Sequence, residues 1–283
     1  MSSPASVALR PPPAVRRLGE TIGWTLLGGV LLMAVLGEAI APYDPLATAP
    51  LDALQPPSAS HWFGTDSLGR DVFSRTLVAA RIDLAVASIA VLASLSVGAG
   101  IGAAAGWAGG WVDRIVGRVV DTIMAFPLFV LAVGIAAAMG NSVSSVVLAT
   151  AIVNLPFYVR QTRSEVNRRR NAGYVEAARL AGFGPVAIVA LHIMPNLTAP
   201  LAVQSSLNMG WAILNAAGLS FIGLGVRPPT PEWGIMVSEG ASYIISGEWW
   251  AFMFPGAALV LAVFSFNMLG DGLRDLLDPR KRV

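Results

Sequence analysis

Six long apolar stretches, at about residues 22–41, 84–108, 117–139, 143–160, 197–222 and 249–270, dominate this chain. A helix crosses the hydrocarbon core of a bilayer with about 20 apolar residues, and each stretch meets or nearly meets that length. The expected fold is an all-α integral membrane protein with six transmembrane helices. Composition agrees, since 13% of residues are charged against roughly 25% in a soluble domain. The sequence pI is about 9.4, but a formal net charge of only +2 does not imply nucleic-acid binding. The absence of cysteine excludes disulfides, thiolate metal sites and cysteine nucleophiles. The first residues hold prolines and scattered arginines, without the short apolar run and small-residue cleavage site of a removed signal peptide.

In the second stretch, Gly98, Gly102, Gly106 and Gly110 recur every four residues. Such a ribbon lets another helix approach closely. Orientation is read from arginine. With both termini on one side, that side collects Arg10, Arg16, Arg17, Arg114, Arg118, the six arginines from Arg160 to Arg179, Arg274, Arg280, Lys281 and Arg282. Only Arg70, Arg75, Arg81 and Arg227 fall on the other. Fifteen of the 19 basic residues thus share one face, which the positive-inside rule makes cytoplasmic. Residues 1–21 and 272–283 then read as cytosolic tails and residues 42–80 as an external segment. Proline and glycine in "APYDPLATAP" and "LQPPSASHWFGTDSLGRD" favour turns there. From Ser67 the pattern becomes helical, as expected of a helix lying along the interface before the second span. The other external segment, "GVRPPTPEWGIMVSEGASYIISGEWW", reads as a loop with interfacial tryptophans at its ends.

The stretch "EAARLAGFGPVAIVALHIMPN", Glu176 to Asn196, falls on the cytosolic side between the fourth and fifth spans. Asn171 is placed to cap a helix through "AGYVEAARLA", and Gly182 to stop it. Pro185 suits the first turn of a second helix, which Pro195 and Asn196 are expected to break before the fifth span. A helix of about ten residues is marginal in water. Ala177, Ala178 and Ala181 give it a shallow surface, with Tyr174, Leu180 and Phe183 as apolar anchors. That surface either receives another protein or packs on the chain's own membrane helices.

"EAA", Gly182 and Pro195 together resemble the EAA loop of permease subunits in binding-protein-dependent ABC importers. Met194 departs from the pattern, where leucine is commoner. The blocks "HWFGTDSLGRDVFSR", "LSFIGLGVRPPTPEWG" and "FNMLGDGLRDLLDPR" are similar to the C-type subunit of the dipeptide/oligopeptide (peptide/nickel) permease group. The resemblance covers most of the chain from about residue 42 onward. It implies the type I ABC importer permease fold over residues 81–271, with a coupling loop at about 164–196. It also implies a heterodimer with a second, B-type permease subunit, two cytosolic ATPase subunits and an external or lipid-anchored binding protein. In that family the EAA helix is the coupling helix, seated in a groove on one ATPase, and ATP-driven closure turns the pathway outward.

By that resemblance Tyr174, Glu176, Ala177, Ala178, Arg179, Gly182 and Pro195 carry ATPase coupling. Glu176 suits the positive end of its helix dipole and is implied to anchor the loop. Gly182 supplies the turn. Arg179 either contacts an acidic ATPase edge or stays solvated. The chain has no GxxxxGK[ST] phosphate loop, and its single lysine is Lys281 in the tail. No cofactor is therefore expected in this chain, with ATP and magnesium held by the ATPase partners, and no enzymatic site of its own.

In the fifth span, Gln204, Asn208, Trp211 and Asn215 share one helical face. They line a pathway or serve as polar glue between helices. His61 and His192 lie on opposite sides, so no metal or hydrolytic site is formed from them. The competing class is an ion-coupled secondary transporter, which needs ionisable groups deep in its spans. Here the spans offer Glu38 and Asp121 near their ends. A structural scaffold leaves the EAA loop unexplained. Within the ABC family, nickel chelates, glutathione and other small solutes are alternative cargoes to di- and oligopeptides.

Overall fold

The computed structural model describes residues 13–277, with side chains from residue 21 onward. Arg10, Arg280, Lys281 and Arg282, assigned above to the tails, lie outside the described residues, as do the side chains of Arg16 and Arg17. The architecture is helical: α1 (Pro13–Ile40), α2 (Val72–Ala108), α3 (Gly110–Ala125), α4 (Leu128–Met139), α5 (Val143–Arg169), α6 (Gly173–Leu180), α7 (Pro185–Ala187), α8 (Thr198–Phe221), α9 (Trp233–Ala241) and α10 (Trp250–Leu277). Five helical segments are long and apolar enough to cross a membrane, and six if the bent pair α3–α4 is one span.

Several helix starts follow from local side chains. Asp71 accepts a hydrogen bond from the Ser74 amide at 2.7 Å and caps α2. Ser142 does the same for α5 through the Ser145 amide at 3.1 Å. Both satisfy donors that the first turn of a helix leaves unpaired.

The glycine ribbon brings α2 against α5. A Cβ added at Gly98 would sit 2.8 Å from the Tyr158 Cβ, and one at Gly102 or Gly106 would sit 2.6 Å from the carbonyl oxygen of Val159 or Arg163. Backbone-to-backbone approach of this kind is what small residues permit. Gly110 departs from the ribbon. It opens α3 at φ +55, beside Gly109 at φ +66, where the chain turns sharply between α2 and α3.

The third apolar stretch is broken. α3 and α4 meet at 91° across Phe126 and Pro127. A residue before proline is pushed out of the helical region, and Phe126 is extended at φ −81, ψ 146. The second span differs too. α2 is one helix from Val72 to Ala108, so the helical pattern after Ser67 belongs to the span rather than to a separate interfacial helix.

At one end of the bundle the 41–71 loop is pinned by polar and aromatic contacts. Arg70 reaches Asp66 at 2.6 Å and Glu239 at 3.1 Å. His61 meets Asp71 at 2.9 Å, the Trp250 indole donates to the Thr65 carbonyl at 3.1 Å, and Phe63 stacks on Phe254 at 3.9 Å. The second external segment is not all loop, since α9 forms within it. Trp233 is fully buried and Trp250 nearly so, leaving Trp249 as the exposed one. Trp233 donates its indole N–H to the Thr76 carbonyl at 3.0 Å, which ties it into α2 instead of a lipid headgroup layer.

Candidate functional site: the α6 loop and the buried polar groups

At the opposite end, α6 follows α5 after a short turn. Its N-cap is Ala172, without a side-chain cap, so Asn171 does not serve as predicted. The stop at Gly182 does form. Gly182 sits at φ +86, its amide bonds the Arg179 carbonyl at 3.0 Å, and the Phe183 amide reaches back to the Ala178 carbonyl at 3.1 Å. This paired pattern closes a helix C-terminus around a left-handed residue, a conformation open to glycine at little cost.

The helix presents two faces. Val175 and Ala178 are buried against the rest of the chain, whereas Tyr174, Glu176, Ala177, Arg179 and Leu180 are exposed. Ala178 is therefore corrected from the docking surface to the packed face, because its position places it with Val175 three residues earlier. Leu180 is 91% exposed and Val186 82%. Arg179 lies over the Trp107 ring at 5.0 Å and donates to the Arg170 carbonyl at 3.3 Å. It ties α6 to the end of α2 while the side chain stays exposed.

Beyond Gly182, the expected break at Pro195 is absent. Helical backbone runs from Pro185 to Phe221, with a π-helical stretch Ile188–Ile193 and a 3-10 turn Met194–Leu197. Pro195 lacks an amide proton and would crowd the carbonyl four residues before it in a regular helix. The wider and tighter turns absorb that misfit. Asn196 Nδ2 donates to the His192 carbonyl at 2.7 Å, and His192 packs edge-on against Phe183 at 4.9 Å. Pro195 itself is exposed.

The amide stripe on α8 divides. Asn208 is buried and accepts from Gln204 Nε2 at 2.9 Å. Trp211 is exposed, and Asn215 Nδ2 donates to the Trp211 carbonyl at 2.9 Å within its own helix. The four residues share a face as spaced, but burial separates Asn208 from Trp211. The Gln204–Asn208 bond is made within α8 and leaves the buried Asn208 Nδ2 without a partner among the described residues, while the neighbouring Ser205 bonds the Tyr158 hydroxyl of α5 at 3.1 Å.

One polar feature has no counterpart in the sequence reading. Asp83, in the fourth turn of α2, is buried and accepts from the Trp233 amide at 3.1 Å. Beside it lies buried Glu232, whose two oxygens accept from the Gly234 and Ile235 amides at 2.9 and 2.8 Å and cap α9. Burial pushes the Glu232 carboxyl above the ordinary carboxylate range, against the opposing pull of its polar surroundings, which include the Gly234 and Ile235 amides. Asp83 fell at the edge of the predicted second span, where a carboxylate is ordinary. Glu232, within "PPTPEWG", carried no sign of burial beyond the adjoining tryptophan.

The structure is that of a polytopic helical membrane protein with an exposed short helix at one end of the bundle. Residues 96–283 match the family described as "Binding-protein-dependent transport system inner membrane component". The chain is 41% identical to the probable D,D-dipeptide transport system permease protein DdpC of Escherichia coli (strain K12), over 99% of this chain and 98% of that one. It is 44% identical to the dipeptide transport system permease protein DppC of the same strain, covering 94% and 90%. It is 42% identical to the di/tripeptide transport system permease protein DppC of Pseudomonas aeruginosa (strain UCBPP-PA14), covering 90% and 88%. The chain belongs to this family, and its fold is the type I ABC permease fold.

Proposed function

We propose that this chain is one half of the membrane pathway of a peptide importer, driven by ATP hydrolysis in separate subunits. A second, B-type permease completes the pathway, two ATPases dock below, and a binding protein delivers cargo from outside. The chain itself binds no cofactor and catalyses no reaction. Its termini are cytoplasmic, a reading supported by the concentration of arginine at the α5–α6 end.

The observation that carries this reading is α6. It is too short to persist alone in water, is anchored by Val175, Ala178 and the Arg179–Trp107 stack, and leaves Tyr174, Glu176, Ala177 and Leu180 facing outward. A Cβ at Gly182 would meet no atom of this chain within 4 Å, so the space before it is free for a partner. ATP-driven closure of the ATPases would move α6, and α6 is continuous through short turns with α5 and α8. A conformational cycle needs a ligand that binds two states differently, and this interface brings that difference from the motor to the membrane. Cargo is assigned to di- and oligopeptides on the relatives' names.

The test is to purify the tagged chain with its neighbours in mild detergent and reconstitute it. Co-purification of a second permease and ATPase subunits, with ATP-dependent peptide uptake only when the binding protein is added, is expected. A chain that purifies alone and transports on an ion gradient would overturn the reading. Uptake of a nickel chelate or glutathione but no peptide would keep the machine and replace the cargo.

A further inference from the structure

The buried carboxyl pair formed by Asp83 and Glu232 joins three helices. Asp83 comes from α2, and Glu232 caps α9. Ser220, at the end of α8, is buried and its hydroxyl accepts from the Val226 amide in the segment that leads to Glu232. Gly234 lies so close to the Ala217 backbone that a side chain would not fit, so α9 is seated directly on α8. Asp83 accepts from the amide of Trp233, the residue next to Glu232, so the two carboxyls lie side by side, and each is 2% exposed. Two carboxylates so close and so buried cannot both ionise without a strong penalty. One retained proton removes that penalty and lets one carboxyl donate to the other.

The surrounding charges do not supply an alternative. On α2, Arg75 contacts Asp66 and the Pro45 and Pro229 carbonyls, and Arg81 pairs with Glu38 of α1 at 3.1 Å. On α9, Glu239 is held by Arg70 of the 41–71 loop. Arg227, in the loop before α9, is exposed. α8 carries no charged residue, and α10 has none before Asp271. Among the described residues neither Asp83 nor Glu232 makes an ion pair. No third metal-ligating side chain joins them, since no group of three such residues occurs among the described residues.

We propose that Asp83 and Glu232 form a proton-binding site in which one shared proton locks α9 onto α2 and α8. The site is independent of the transport reading, because it concerns how this chain's α9 cap is held, whatever the cargo. Below the ordinary carboxylate pKa the pair is protonated whether folded or not, and the native state has its full advantage. As pH rises above about 4.5, the ordinary value for glutamate, the unfolded chain ionises at Glu232 while burial keeps the folded Glu232 carboxyl protonated. Stability therefore falls with pH until the folded pair also ionises.

The experiment uses the full chain in its purified assembly, melted from about pH 5 to about pH 9. While the native state holds one extra proton, the midpoint of the unfolding step should drop by about 2–4 °C per pH unit, relative to Asp83→Asn measured in parallel. Asp83→Asn keeps a hydrogen-bond donor beside Glu232 and should lose that component of the slope. Infrared spectra at neutral pH are the second measurement, which holds even if a variant is less stable. The wild-type spectrum should contain a protonated-carboxyl band absent from both Asp83→Asn and Glu232→Gln. A wild type without that band, or an Asp83→Asn slope equal to the wild-type slope, would overturn the proposal. So would restoration of the alkaline midpoint by sodium ions, which would assign the site to a metal cation.

Discussion

The two ends of this bundle are built on opposite principles. At the cap formed by the 41–71 loop and α9, side chains from distant parts of the sequence are locked together, with Trp233 and Arg75 almost wholly buried and Arg70 held between Asp66 and Glu239. At the α5–α6 end, a helix of 8 residues is fastened by two buried side chains and a surface stack. The cap is packed within the chain, whereas the outward face of α6 is exposed. Changes at the cap should therefore cost stability, and changes at α6 should cost transport.

The largest expected effect is at Gly182. Gly182→Asp places a side chain at φ +86 in the open space before α6. It should abolish ATP-dependent uptake while membrane insertion and the melting midpoint stay near wild type. Wild-type uptake by this variant, or a melting loss as large as that of a cap variant, would break the contrast. Trp233→Ala removes a fully buried indole and its bond to Thr76. Loss of such a side chain costs about 3–5 kcal/mol, read as a lower unfolding midpoint and faster proteolysis of the 41–71 loop.

Between the ends, Gly102→Val should drive α2 away from the Val159 carbonyl and cost about 1–3 kcal/mol by overpacking, again visible in melting. On α8 the two amides should part. Asn208→Leu, at a buried position bonded to Gln204, should impair assembly, while Asn215→Leu should leave assembly intact and slow uptake. Equal assembly yields for both would return them to a single pathway stripe. The smallest effect belongs to Arg179→Ala. Losing its stack on Trp107 costs about 0.5–1 kcal/mol at an exposed site, with a modest fall in uptake.

Much of this was legible before folding. Run length locates the apolar helices because crossing a bilayer is a local requirement, and the four-residue glycine spacing foretold a close helix contact, though not that α5 makes it. The Gly182 stop was legible for the same reason, since a left-handed C-terminal residue is a one-position signal. Where reading failed, the cause lies between helices. Phe126–Pro127 is apolar and looks continuous with its span, yet the backbone turns through 91° there. Pro195 looked like a helix end, but π and 3-10 turns carry the helix past it. Ala178 and Ala177 are chemically identical neighbours, and only the position of α6 against the bundle makes one buried and one exposed.

The sequence by itself determined an α-helical membrane subunit, its approximate spans and the short helix that marks its family, because hydropathy, charge and turn residues act over a few positions. Only the tertiary structure decided which polar groups are inside. Trp233 bonds Asp83 from 150 residues away, and the carboxyl pair and the enclosed Trp233 exist because α2, α8 and α9 meet. Burial and shared protons are properties of neighbours, and distant neighbours are set by packing rather than by spacing along the chain.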